Sequence, residues 1–191
     1  MYIEEKTDLR IIKTQEAIHT SFEKLAEENE LSAISVAQLC REARISKKTY
    51  YRHYPDLNAL IAEYQALLLQ TLLEETKEFS LPDRTAEFAR QLVVSLCEAG
   101  KRSRLNERVV CHARKSEFCQ LMIEEELKLG YVNDRGFGSL SGTEISAVLV
   151  FVHSTCVTLY QHWVAGGKRM SVKRLSEMAA TLATKGTTSL G

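Results

Sequence analysis

The chain has 191 residues, 45% hydrophobic and 26% charged, a balance that excludes a disordered chain and a coiled-coil fibre. The 25 Lys and Arg offset the 25 Asp and Glu, which excludes a uniformly basic nucleic-acid coat but not a local patch. No apolar run reaches about 18 residues without polar interruption, and the first residues lack an apolar signal core, so neither a membrane span nor secretion is expected.

The cysteines Cys40, Cys97, Cys111, Cys119 and Cys156 are odd in number and form no C-x-x-C pair. They read as reduced thiols of a cytoplasmic protein.

The elements are predicted to be helices throughout. From about Asp8 to Glu28, Ile11, Ile18, Phe22 and Leu25 recur on one face of an amphipathic helix. Ser35 with Gln38 makes a capping box that opens a short helix to about Ala43. Ser46 caps a second short helix to about His53. Pro55 forces a break, since the residue before proline avoids the α region. Asp56 then caps a long helix from Leu57 to about Glu78.

Asp83 is expected to cap a helix ended by Gly100, followed by helices over about Leu105–Arg114 and Ser116–Leu129, the last stopped by Gly130. Ser141 and Glu144 form a second capping box, opening a helix to about Ala165 that is apolar almost all round. Such a helix needs burial on several sides, and a partner subunit is the simplest supply. Ser171 caps the last helix, which runs to about Thr184 and ends at Gly186. The expectation is an all-α chain of about nine helices.

Charge is concentrated between the two short helices. Residues 41–53 hold Arg41, Arg44, Lys47, Lys48 and Arg52 against Glu42 alone. Two short helices separated by Ala43-Arg44-Ile45 have the size of a helix-turn-helix, whose second helix enters the DNA major groove. The second helix offers Lys47, Lys48, Thr49, Tyr51 and Arg52 to phosphates and base edges. Spacing alone fits equally a solvated helical hairpin with ordinary surface lysines.

The residues carry more than the spacing. Arg10-Ile11-Ile12-Lys13-Thr14-Gln15-Glu16-Ala17-Ile18 resembles the first helix of TetR/AcrR-type transcriptional regulators. Residues 34–46, from Ile34 to Ser46, resemble their "ITVxDIAxxAGVS" segment. Lys47-Lys48-Thr49-Tyr50-Tyr51-Arg52-His53-Tyr54 resembles their "xGTFYRHF" recognition helix. The resemblance covers about residues 8–65.

It implies a three-helix, helix-turn-helix DNA-binding domain over residues 1–55 and a ligand-binding and dimerisation domain over 56–191. The implied DNA contacts are Ser35, Arg44, Ser46, Lys47, Lys48, Thr49, Tyr51, Arg52 and His53. Ser35 and Ser46 stand at helix N-termini, whose exposed amides favour anions. Three residues depart from the family pattern. Arg44 replaces a turn glycine, where a left-handed backbone costs more. Lys48 replaces a second common glycine, and Leu57 replaces a frequent lysine.

No acid/base pair, nucleophile elbow, Walker loop or dinucleotide fingerprint is present, so an enzyme is not expected. Cys111, His112, Cys119, His153, Cys156 and His162 match no zinc spacing, and no metal or cofactor is expected. The resemblance implies a small-molecule effector in the C-terminal helices. Its candidate lining is His112, His153, Thr155, Tyr160, His162 and Trp163. A homodimer is expected on the last two helices through Phe151, Leu159, Trp163, Leu175, Met178 and Leu182. The expected protein is thus a repressor released from a double-stranded DNA operator by a small molecule. The alternative is a helical protein-interaction module that has lost operator binding.

Overall fold

Short polar side chains start most helices where the sequence puts them. The computed structural model describes residues 2–112 and 115–185. Among these, the chain forms α1 (Tyr2–Glu28), α2 (Val36–Glu42), α3 (Lys47–Tyr50), α4 (Leu57–Thr76), α5 (Thr85–Arg102), α6 (Arg104–His112), α7 (Lys115–Leu129), α8 (Gly142–Ala165) and α9 (Val172–Lys185), with no strand. Two 3-10 turns, Leu31–Ala33 and Asp134–Phe137, lie between them.

Ser35 Oγ accepts from Gln38 N at 3.2 Å and Asp56 Oδ1 from Ala59 N at 2.8 Å. Ser171 Oγ accepts from Arg174 N at 3.2 Å. Each bond satisfies an amide that a helix leaves without an internal partner. Ser141 and Glu144 cap each other reciprocally, with Ser141 N donating to Glu144 Oε2 at 2.8 Å.

Three helices end in one motif, with crossed bonds around a left-handed residue. In α7, Tyr131 N donates to Glu126 O at 2.9 Å across Gly130, whose φ is 70°. In α8, Lys168 N donates to Trp163 O at 2.9 Å across Gly167, whose φ is 76°. In α2, Ile45 N donates to Cys40 O at 3.0 Å, and the left-handed residue is Arg44, with φ 54°.

Two local expectations are corrected. Asp83 does not cap α5, which starts after Arg84 without a side-chain cap. Its carboxylate instead accepts from Asn133 Nδ2 at 2.6 Å, fastening the loop after α7. Gly100 does not end α5, which continues to Arg102. A Cβ at Gly100 would lie 2.6 Å from Tyr160 Oη, so the glycine serves a close approach inside the helix. Helix ends also differ at the margins. α1 starts at Tyr2, α3 is a single turn, and α4 stops at Thr76. The expected ends at Arg114 and Gly186 lie outside the described residues.

The chain divides into two compact units, Met1–Tyr64 and Gln65–Gly191. In the first unit Ile18, Phe22 and Leu25 of α1 are buried together with Leu31, Ile34, Leu39, Tyr50, Tyr54, Leu60, Ile61 and Tyr64. The unit ends later than residue 55 because Leu60, Ile61 and Tyr64, on the first turns of α4, belong to this core.

In the second unit α5 packs against α6, α8 and α9. Its Phe88, Ala89, Leu92, Val93 and Leu96 recur at three- and four-residue steps, so one face is buried. Ala179 and Ala180 on α9 are buried, and Arg90 Nε binds Glu177 Oε1 at 3.1 Å beside them. By length and composition α8 is the one helix among the described residues able to cross a membrane. The lack of an uninterrupted apolar run argues against a span, but the interruptions within α8 are mostly uncharged Ser, Thr, Cys and His. In the structure Leu149, Val152, Cys156, Val157 and Tyr160 bury one side of it within the unit.

Candidate nucleic-acid interface

The first unit turns its positive charge outward around α3. Ser46 Oγ accepts from Thr49 N at 3.1 Å and shares a hydrogen bond with Thr49 Oγ1 at 2.8 Å. This cap holds the single turn of α3, too short to be stable by its own hydrogen bonds. Lys47, Lys48 and Arg52 are exposed, and Tyr51 is 52% exposed. Arg41 and Arg44 are exposed on the adjoining end of α2 and its turn. Thr49 and His53 are half-buried, and Ser35 and Ser46 are exposed at their caps.

In this unit Lys24 forms an ion pair with Glu42, and His19 Nε2 lies 3.5 Å from Glu63 Oε1. The first occupies the only acidic side chain between Arg41 and His53. Arg41, Arg44, Lys47, Lys48 and Arg52 are thus exposed in a segment whose single acid, Glu42, is paired with Lys24 of α1. Cations that neutralise phosphates release the counterions condensed on a nucleic acid, which favours binding.

The inward face of α3 is aromatic. Tyr50 is fully buried, and its hydroxyl donates to Asp56 O at 3.0 Å; burial pushes its pKa up to about 12. Tyr54 is buried as well, and its ring centroid lies 5.8 Å from that of Tyr50. Its hydroxyl donates to Glu63 Oε2 at 2.7 Å and contacts His19 Nε2 at 2.8 Å. Tyr64 Oη donates to Glu23 Oε1 at 3.0 Å and packs its ring on His19 and Phe22. Sequence reasoning placed Tyr54 in the recognition-helix resemblance but did not single out His19 or Glu63, because the three are brought together only by the tertiary packing of the unit. The available signal was a histidine and a tyrosine at positions whose neighbours face the core.

The residues expected around an effector are dispersed. His112 and His162 are exposed. His153 is fully buried and bonded through both ring nitrogens, to Leu149 O at 2.7 Å and to Glu126. Thr155 Oγ1 donates to Phe151 O and Trp163 Nε1 to Met170 O, each at 2.7 Å. Tyr160 is buried against Gly100. A cavity of about 450 Å³ lies elsewhere, between α4 and α7, lined by Leu69, Gln70, Leu73, Leu121, Leu129 and Tyr131 among others. None of the six expected residues lines it.

On the expected dimer surface, Phe151 is 53% and Val150 42% exposed. Leu159, Trp163, Met178 and Leu182 are half-buried. Leu175 is buried inside its own chain and leaves no surface for a partner.

No protein-family model matches the chain, and no curated protein matches it.

Proposed function

We propose that the chain is a TetR-like transcriptional regulator, a cytoplasmic homodimer that binds double-stranded DNA through α3 and is released by a small molecule. The observation that carries this reading is the row Lys47, Lys48, Tyr51 and Arg52, exposed on a Ser46-capped turn in a segment whose one acid, Glu42, is paired with Lys24. The likeness of residues 8–65 to the family's reading head supports the same assignment. The left-handed Arg44 fits the turn at which that family carries glycine.

The cavity between α4 and α7 supports the small-molecule part of the reading, since ligand sites have volumes of about 300–1,000 Å³ and mostly apolar walls. The exposed Val150 and Phe151 support a second copy, because an apolar pair left on a mostly apolar helix gains by being covered.

The test is a gel shift with DNA from upstream of the protein's own gene, repeated over a range of salt. The wild type binds, and Lys47→Ala with Lys48→Ala weakens binding and lowers the salt slope by about two, near one for each phosphate no longer neutralised. Unchanged affinity and slope in that variant would remove α3 from the interface.

A further inference from the structure

Behind the exposed turn, two polar side chains from two other parts of the first unit meet at one phenol, that of Tyr54. Tyr54 follows α3, His19 lies on α1 and Glu63 on α4. Tyr54 has one proton, and the carboxylate of Glu63, 2.7 Å away, can only accept it. The 2.8 Å contact with His19 therefore has the imidazole donating from Nε2 and Tyr54 Oη accepting. The bonds run in one direction, His19 to Tyr54 to Glu63, and join the buried phenol to side chains that are 29% and 42% exposed. His19 Nε2 also lies 3.5 Å from Glu63 Oε1, closing the set.

This matters because α3 is a single turn and cannot hold its own attitude. Its first inward anchor, Tyr50, bonds the nearby backbone of Asp56, which fixes only the local turn. The second, Tyr54, bonds side chains of α1 and α4. An apolar ring in the same slot is held by shape alone. A phenol with a donor on one side and an acceptor on the other is also fixed along its long axis. Tyr51 and Arg52 stand immediately before it, so a shift of Tyr54 is passed directly to the exposed row.

We infer that His19 and Glu63 are positioning residues for DNA readout, acting through Tyr54. This rests on the DNA-binding reading above. Base-edge hydrogen bonds need donors and acceptors in register, whereas attraction to phosphate tolerates displacement. Loosening the phenol therefore lowers affinity for the specific site more than affinity for arbitrary sequence.

The experiment uses the full chain and compares its own upstream DNA with a scrambled duplex at one salt concentration, with thermal unfolding followed in parallel. Tyr54→Phe and His19→Leu each lower the ratio of specific to scrambled affinity by roughly threefold to tenfold, the worth of one hydrogen bond. Their affinity for scrambled DNA stays within about twofold of wild type. His19→Gln, whose amide N–H replaces the Nε2 donor, restores the ratio. The double variant Tyr54→Phe with His19→Leu is no worse than Tyr54→Phe, because both break one chain of bonds. An unchanged ratio in both single variants overturns the inference while leaving DNA binding intact. So does a fall in both affinities that follows the melting temperature and is not rescued by glutamine. A wild type that does not distinguish the two duplexes overturns both readings.

Discussion

His153 Nε2 lies 3.0 Å from Glu126 Oε2, and the two side chains are only 0% and 3% exposed. His153 Nδ1 is 2.7 Å from Leu149 O, and a carbonyl can only accept, so the Nδ1 position carries hydrogen. His153 Nε2 then faces the Glu126 carboxylate, 3.1 Å from Oε1 and 3.0 Å from Oε2. The pair pins α7 to α8 inside the core of the second unit.

Removing one member leaves the other stranded. Glu126→Ala is expected to destabilise the protein by about 3–5 kcal/mol, read from the urea midpoint. Replacing both, with Glu126→Leu and His153→Leu, should recover most of that loss, because a buried pair rarely outperforms well-packed apolar groups. If the single variant costs less than about 1 kcal/mol, the pair does not hold the two helices together.

Arg44 occupies a conformation that disfavours any β-carbon. Arg44→Gly should raise stability by about 1 kcal/mol in chemical denaturation, the relief of a left-handed backbone. The same change removes one exposed cation, so DNA affinity should fall and its salt slope flatten by about one. A drop in stability would mean that the arginine side chain makes up for its backbone.

The cap of α8 titrates. Hydrogen bonds from the Ser141 hydroxyl and amide hold the Glu144 carboxyl below its ordinary value of 4.5. A depressed folded value means the cap contributes above the ordinary carboxylate range and is lost as pH falls through the folded value. Amide exchange in the first turn of α8 should therefore speed up in acid beyond its intrinsic pH dependence. Ser141→Ala should abolish that extra acid sensitivity; an unchanged profile would rule out the cap as its source.

Phe151 is the large apolar group most exposed on α8. Covering such a side chain is worth about 1.5–3 kcal/mol, counted twice across a two-fold axis. The wild type should sediment as a dimer at micromolar concentration, and Phe151→Glu should be monomeric with an unchanged helix content at about 25 °C and a lower, concentration-independent melting temperature. A monomeric wild type would leave the face without a second copy.

What the sequence revealed follows from the range of the interactions. Caps at Ser35, Ser46, Asp56, Ser141 and Ser171 were legible because each bonds an amide three residues on. The exposed cations around α3 were legible because charge resists burial. Asp83 was misread because its partner, Asn133, stands fifty residues later. Polar groups on apolar helices suggested an effector lining, yet His153 and Trp163 satisfy themselves within the chain. The mount of α3 was illegible for a related reason, as His19, Tyr54 and Glu63 have no shared local pattern.

The close approach of Tyr160 to Gly100 also constrains how this sequence can drift. Alanine in a helix interior is ordinarily favourable over glycine by about 1 kcal/mol, so position 100 is under steady pressure to acquire a methyl group. The phenol oxygen of Tyr160 blocks it, at 2.6 Å from where that carbon would sit. A residue other than glycine at position 100 therefore requires the Tyr160 side chain to move or to be replaced. An alignment of descendants should show the two sites changing together, with tyrosine at 160 chiefly alongside glycine at 100.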